Sequence, residues 1–285
     1  MISYKFTDEF LKRNGFFCLM KRKLSIGATA WHCLFYTVRF MPVSILKHKM
    51  CLWILRHRNS LPLYLVVYPG DTAVQVGTPK LITVKRFSRL VGEKGCVVIV
   101  EADPGNADKL KKGIEQSNIT NVHIVGKGVW SSKTTIVFHK SDDFDGDHKL
   151  DVPGICIDND YRTNYEEQIE IEVDTVDNIL HGLEVTDVNY LSITVNGAEE
   201  EVLKGCLGLV KDAKNLKIFS KGHARIGDPE AGEPINVPIT KYLRENGLMT
   251  MLTCGEKSTA GIEEWKVRDG DVFAWKTPSN YIGPK

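Results

Sequence analysis

The chain has 285 residues, 42% hydrophobic and 26% charged, with a formal net charge of +1. This is an ordinary globular composition, which excludes collagen-like and low-complexity chains. The near-neutral total hides a split: residues 1–60 hold 11 Lys and Arg against 2 Asp and Glu, or +9, leaving 26 against 34, or −8, for the rest.

In chain order, the basic segment comes first. Its charge suits an anionic partner, and a membrane surface or a nucleic acid has that charge. Lys5, Asp8, Glu9, Lys12 and Arg13 interrupt any signal-peptide pattern. Residues 24–46 are long enough to weigh as a membrane span, but His32, Arg39 and Pro42 lie within them and both flanks are basic. Two readings stay open: a helix lying on anionic lipid through the aromatic-rich stretch 31–40, and a helical cap packed on the main domain. Of the two anionic partners, the membrane is the expected one and no nucleic acid is expected. The seven cysteines form no CxxC pair and the eight histidines show no zinc spacing, so a reduced, cytoplasmic protein is expected, with membrane association as a further option.

Pro62 and the turn Pro69-Gly70-Asp71 mark a boundary. The expected organisation is a basic helical extension over 1–60 and one domain over 61–285. Strands and helices then alternate. TAVQV (72–76) reads as a buried strand. Thr78 as N-cap and Pro79 as first helical residue start a helix with Leu81, Ile82, Val84, Phe87, Leu90 and Val91 inward, closed by Gly92. CVVIVE (96–101) is a continuous apolar strand, the mark of a parallel strand covered on both faces. A helix over 104–117 and a strand over 121–125 follow. The β-α-β-α-β order predicts a parallel, doubly wound sheet.

Further strands are predicted at 134–140, 168–173, 187–195, 216–220, 248–254 and 271–275, with helices at 197–210 and 237–246. The late strands suit an antiparallel sheet edge. Between 134–140 and 168–173 lies a long loop with seven Asp between 142 and 160. Aligned on Gly146 it lacks the closing Glu of a calcium loop, so a solvated loop near a substrate mouth is the expectation.

The turn after the first strand is a candidate ligand site, since it offers backbone N–H groups at a helix start. Gly77 stands alone there, without the further glycines of a dinucleotide fingerprint, which argues against NAD or FAD. Glu101 ends the second strand, 24 residues after Gly77, where a carboxylate can accept ribose hydroxyls. A plain strand–helix turn and a solvated acid are the alternatives. An adenosine-type ligand without a pyrophosphate fits best.

Five blocks in order carry a resemblance: VYPGDTAVQVG, VGEKGCVVIVEADPGNADKLKKGI, NVHIVGKGVW, IEVDTVDNIL and YLSITVNGAEEEVLKG. Over about residues 66–223 the chain resembles the FkbM-type S-adenosylmethionine-dependent methyltransferases. The resemblance implies a Rossmann-like, mostly parallel seven-stranded α/β sheet and methylation of hydroxyls, often on sugars or natural products. It implies S-adenosylmethionine as cofactor, held at Gln75, Gly77, Thr78, Glu101, Ala102 and Gly128, with residues 126–130 bordering the adenine. The acceptor implied is a small molecule or glycan.

The chain departs from the family pattern at several positions. Gln75 replaces an Asp and Leu81 a Gly, while Ser192, Thr194 and Asn196 replace Lys, Asp and Glu; Gly197 and Glu199 are kept. A hydroxyl acceptor calls for a base. His223 is the candidate, with Asn196 and Lys221 orienting the substrate; a surface histidine, a helix N-cap and a solvated lysine are the alternatives. The departures also admit a non-catalytic binding or scaffold protein that keeps the fold.

Overall fold

The computed structural model describes residues 66–77, 80–141, 149–150, 165–195, 197–221, 236–252 and 271–276. The basic segment 1–60, Thr78, Pro79, the acidic stretch 142–147, Asn196 and His223 lie outside them.

Eleven strands are described: β1 (Thr72–Val76), β2 (Cys96–Val100), β3 (Val122–Val125), β4 (Gly128–Val129), β5 (Thr134–Ser141), β6 (Lys149–Leu150), β7 (Tyr165–Asp174), β8 (Tyr190–Ile193), β9 (Lys217–Ser220), β10 (Met249–Leu252) and β11 (Val272–Trp275). The helices are α1 (Leu81–Val91), α2 (Pro104–Glu115), α3 (Val176–Gly182), α4 (Glu199–Lys204), α5 (Leu207–Asp212) and α6 (Asn236–Glu245).

Seven strands form one sheet in the order β10-β11-β9-β8-β1-β2-β3. β1 pairs in parallel with both β2 and β8, and β9 continues the parallel run from β8. β11 is antiparallel to both its neighbours. This is the expected Rossmann-like, doubly wound α/β sheet. The winding goes one way from β1 to β3 and the other from β8 to β9. The switch point therefore lies between β1 and β8, and ligands of such sheets bind in the crevice outside the carboxyl ends of the strands there.

The two faces are covered unequally. Val74, Val76, Val98, Val100, Leu191, Ile193, Ile218, Val272 and Ala274 point to one face and join α3–α6 in a single core. On the other face, α1 and α2 lie over the β1–β3 half. Val84, Phe87 and Val91 anchor α1 there, and the Phe87 and Tyr190 rings meet at 5.9 Å. Ile82, expected inward, is 59% exposed. The helix starts later than expected, with Lys80 as N-cap, making no side-chain capping bond, instead of Thr78. Ile82 precedes Val84 by two residues, about 200° around the helix, and so points away from the buried stripe of Val84, Phe87 and Val91.

A second, four-stranded sheet runs β4-β7-β5-β6. It is an antiparallel ribbon of β5 and β7 that absorbs strands 134–140 and 168–173. β6 pairs with Phe138 and His139 inside what the sequence offered as loop.

The single helix expected over 197–210 is two short ones. Gly205 divides them because the chain lies against its neighbours there: a Cβ at 205 would sit 2.2 Å from the Trp130 carbonyl oxygen. α3 was not expected. Thr175 caps it by accepting from the Asn178 amide at 3.0 Å. Asp177 of α3 in turn accepts from the Gly208 and Leu209 amides at 2.7 and 2.9 Å, closing the start of α5. Asp177→Ala orphans both amides, and a loss of about 1–2 kcal/mol is expected, measured by urea unfolding. Asp177→Asn keeps one acceptor and should lose less.

Candidate active site

The floor of the crevice is laddered one residue beyond the strands. Gly77 donates its amide to the Val100 carbonyl at 3.0 Å, Thr194 to Val76 at 2.9 Å, Glu101 to Val125 at 3.0 Å and Lys221 to Ile193 at 2.9 Å. The Gly77 amide, expected to face a ligand, is thus engaged within the sheet. Its glycine has another reason. The backbone has φ +92°, and a Cβ would fall 1.8 Å from the Thr194 carbonyl oxygen. The chain leaving β8 crosses directly over position 77, and only hydrogen leaves room.

Leu81 does not fill the crevice at this point. Its side chain lies against α2, where a Cβ on Gly113 would meet Leu81 Cδ2 at 2.6 Å. The bulk that replaces the family's glycine is used in packing α1 on α2.

Glu101 stands one residue beyond β2, beside the crevice, and is 2% exposed. Its Oε1 accepts from the Asp103 amide at 2.8 Å. Asp103 caps α2 by accepting from the Asn106 amide at 2.6 Å, with Pro104 following. The turn 101–106 therefore fixes the carboxylate by its own backbone. A carboxylate has about four acceptor positions, and the Asp103 amide takes one of them.

Ala102 faces the second sheet. It packs with Trp130, Ile136 and Ile169 against the cluster of Phe138, Ile171 and Val173. An apolar wall thus borders the carboxylate, as an adenine ring needs. Gly128 belongs to this wall's foundation: a Cβ there would meet Val173 Cγ1 at 2.6 Å. Its place is explained by β4 lying close on β7. Asp174, at the end of β7, accepts from the Thr175 amide and Asn178 Nδ2. Burial works against its charge, but those two bonds and the nearby Lys127 and Lys133 prevail and hold its carboxyl below the usual value.

Residues 75–245, more than half of the chain, match the methyltransferase FkbM domain. The chain belongs to the FkbM methyltransferase family. No curated protein matches the chain. Among solved structures, it is similar to Aeropyrum pernix fibrillarin with natively bound S-adenosyl-L-methionine, at 14% identity over 80% of this chain and 74% of that one, TM-score 0.42. It is also similar to the precorrin-6y C5,15-methyltransferase of Geobacter metallireducens, at 11% identity over 74% of this chain and 82% of that one, TM-score 0.40. An S-adenosylmethionine-dependent methyltransferase from Aquifex aeolicus gives 14% identity over 73% and 82%, TM-score 0.34. These likenesses concern the fold alone.

Within the FkbM frame, the departures have structural settings. Gln75 is buried inside β1, between Ile99 and Ser192 on the neighbouring strands, and its Nε2 donates to the Val76 carbonyl at 3.1 Å. Ser192 is buried and hydrogen-bonds Tyr190, whose hydroxyl is pushed up by burial with this bond opposing. The two positions thus serve a polar seam within the sheet. Of the retained pair, Gly197 has φ +102°, and Glu199 is fully buried. Glu199 Oε2 accepts from the Gly197 amide at 2.9 Å, and Oε1 lies 3.4 Å from the Val195 amide. This carboxylate shapes the loop that crosses Gly77.

On the far side of the crevice, Lys221 follows β9 and its Nζ lies 3.9 Å from Asp271 Oδ2, just before β11. Asp271 was missed in the sequence, where it is one acid of an RDGD run. Only its placement at the antiparallel strand's start reveals it. Gln75, Gly77, Glu101, Ala102 and Lys221 are thus strung along one edge of the sheet, with Gly128 in the adjoining ribbon. Among the described residues, no helix is long and apolar enough to cross a membrane; the stretch 24–46 lies outside them.

Proposed function

We propose that this FkbM-family protein binds S-adenosylmethionine across the crevice and methylates a hydroxyl on a sugar, a lipid-linked glycan or a small metabolite. The observation that carries the reading is the buried, backbone-anchored Glu101 beside an apolar wall at the sheet's switch point. Glu101 would hold the ribose hydroxyls, and Ala102 with Trp130 would flank the adenine. Bound there, the cofactor supplies an electrophilic methyl group on a sulfonium, and catalysis then rests largely on positioning. Lys221 and its partner Asp271 stand where an acceptor approaches, on the β9 side. Asn196 and His223 are the further candidates for orienting the acceptor and taking its proton.

A second reading, a non-catalytic binding or scaffold protein, is favoured by Gln75. Its amide is turned onto its own strand and carries no charge for the cofactor's ammonium. Titration calorimetry of the full chain with S-adenosylmethionine and S-adenosylhomocysteine tests the proposal. Binding of both in the micromolar range is expected. Absence of heat with either at millimolar ligand contradicts it, and binding without methyl transfer to any hydroxyl acceptor favours the second reading.

A further inference from the structure

Positive charge gathers on one outer surface of the described fold. α1 and α2 lie side by side over the β1–β3 half of the sheet, with Leu81 of α1 packed against Gly113 of α2. Val84, Phe87 and Val91 form the buried stripe of α1. Ile82, Arg86 and Arg89 therefore stand one above the other on its outer side, with Lys85 beside them. In α2 the buried residues include Leu110, Gly113 and Ile114. Lys109, one turn before Gly113, falls on the flank turned to α1, and Lys112 points outward. Two helices on one sheet face turn their outer sides the same way, so these residues share one surface.

The surface is cationic although the chain after residue 60 is acidic in total. Lys85, Arg86, Arg89, Lys109 and Lys112 carry its charge. Asp108 and Glu115 lie on the flank of α2 away from α1, where Asp108 pairs with Lys111 at 3.6 Å. Lys85, Arg89 and Lys112 make no ion pair among the described residues. On the opposite face of the sheet the signs are mixed: Lys204 is held by Glu200 and Glu201 at 3.2 and 2.6 Å. At the head of the cationic row stands Ile82, 59% exposed, ahead of Met249 at 54% and Leu207 at 39%. An apolar side chain is thus offered to the surroundings beside a row of cations.

We propose that this α1–α2 surface docks on an anionic lipid bilayer. The cations meet lipid phosphates and Ile82 enters the headgroup layer, the division of roles found in an interfacial helix. A nucleic acid would match the cations, but it would set Ile82 against phosphate, and the row offers no exposed aromatic ring for a base to stack on. The surface is separate from the segment 1–60, and the inference is independent of the cofactor reading.

The test is flotation of the full chain with vesicles of phosphatidylcholine and phosphatidylserine. The combined change Lys85→Glu, Arg89→Glu and Lys112→Glu is expected to lower the partition coefficient roughly 100-fold, given what each cation contributes near an anionic surface, with the melting temperature unchanged. An undiminished coefficient, or no binding by the unaltered chain, would overturn the proposal. A solvent-sensitive fluorescent amino acid at position 82 of the otherwise unaltered chain gives a reading that does not depend on the triple variant folding. Its emission is expected to shift to the blue on the same vesicles, and unshifted emission with the chain bound would place the contact elsewhere and overturn the proposal. A labelled single-stranded oligonucleotide tests the other anionic partner: binding to it that the triple change abolishes, with none to the vesicles, would also overturn it.

Discussion

Gly77→Ala is expected to destabilise the protein by about 3–5 kcal/mol, a large part of the roughly 5–15 kcal/mol that holds a domain together. Two costs combine. A φ of +92° disfavours any side chain, by about 1–2 kcal/mol. The added carbon also falls 1.8 Å from the Thr194 carbonyl oxygen and 2.8 Å from its carbon, which are backbone atoms that no rotamer change can move. The loop after β8 would have to lift, breaking the bond from the Thr194 amide to Val76. Gly92→Ala is the control: φ there is +69°, but nothing lies within 4 Å of the added carbon, so a loss of only about 1 kcal/mol is expected. Urea unfolding of both variants separates strain from collision. Equal losses would show that the β8 loop does not press on position 77.

Glu101→Gln is expected to weaken S-adenosylhomocysteine binding roughly 10- to 100-fold, the range for removing the charge from a charge-assisted hydrogen bond. Folding should be little affected. The replacement keeps a carbonyl oxygen for the Asp103 amide and removes a charge buried to 2% exposure. Calorimetry alongside thermal unfolding reads both quantities. Unchanged affinity with an unchanged melting temperature would mean that the carboxylate serves the turn at α2 alone.

Much of the sheet was legible because its signals are local. The run CVVIV needs apolar cover on both faces, and β2 has it. Gly92 and Pro104 mark helix ends in the expected places. What escaped was set by distant contacts. The break at Gly205 follows from the Trp130 carbonyl, 75 positions away, and the reason for Gly128 is Val173 on another strand. Gly77 is the instructive case. Sequence spacing pointed to it as a ligand-facing glycine, and the structure explains it by a chain crossing that no local pattern encodes. Glu101 closes the run CVVIVE, so its place just beyond β2 was legible. Asp271 was not, since its approach to Lys221 depends on β11 running antiparallel between β9 and β10.

The most direct measurement is a crystal structure of the full chain grown with S-adenosylhomocysteine. The account predicts both ribose hydroxyls on the Glu101 carboxylate, the adenine against Ala102 and Trp130, and the sulfur toward the Gly77–Thr194 crossing. A ligand seated elsewhere, or density absent at saturating concentration with Glu101 still folded onto Asp103, would contradict it.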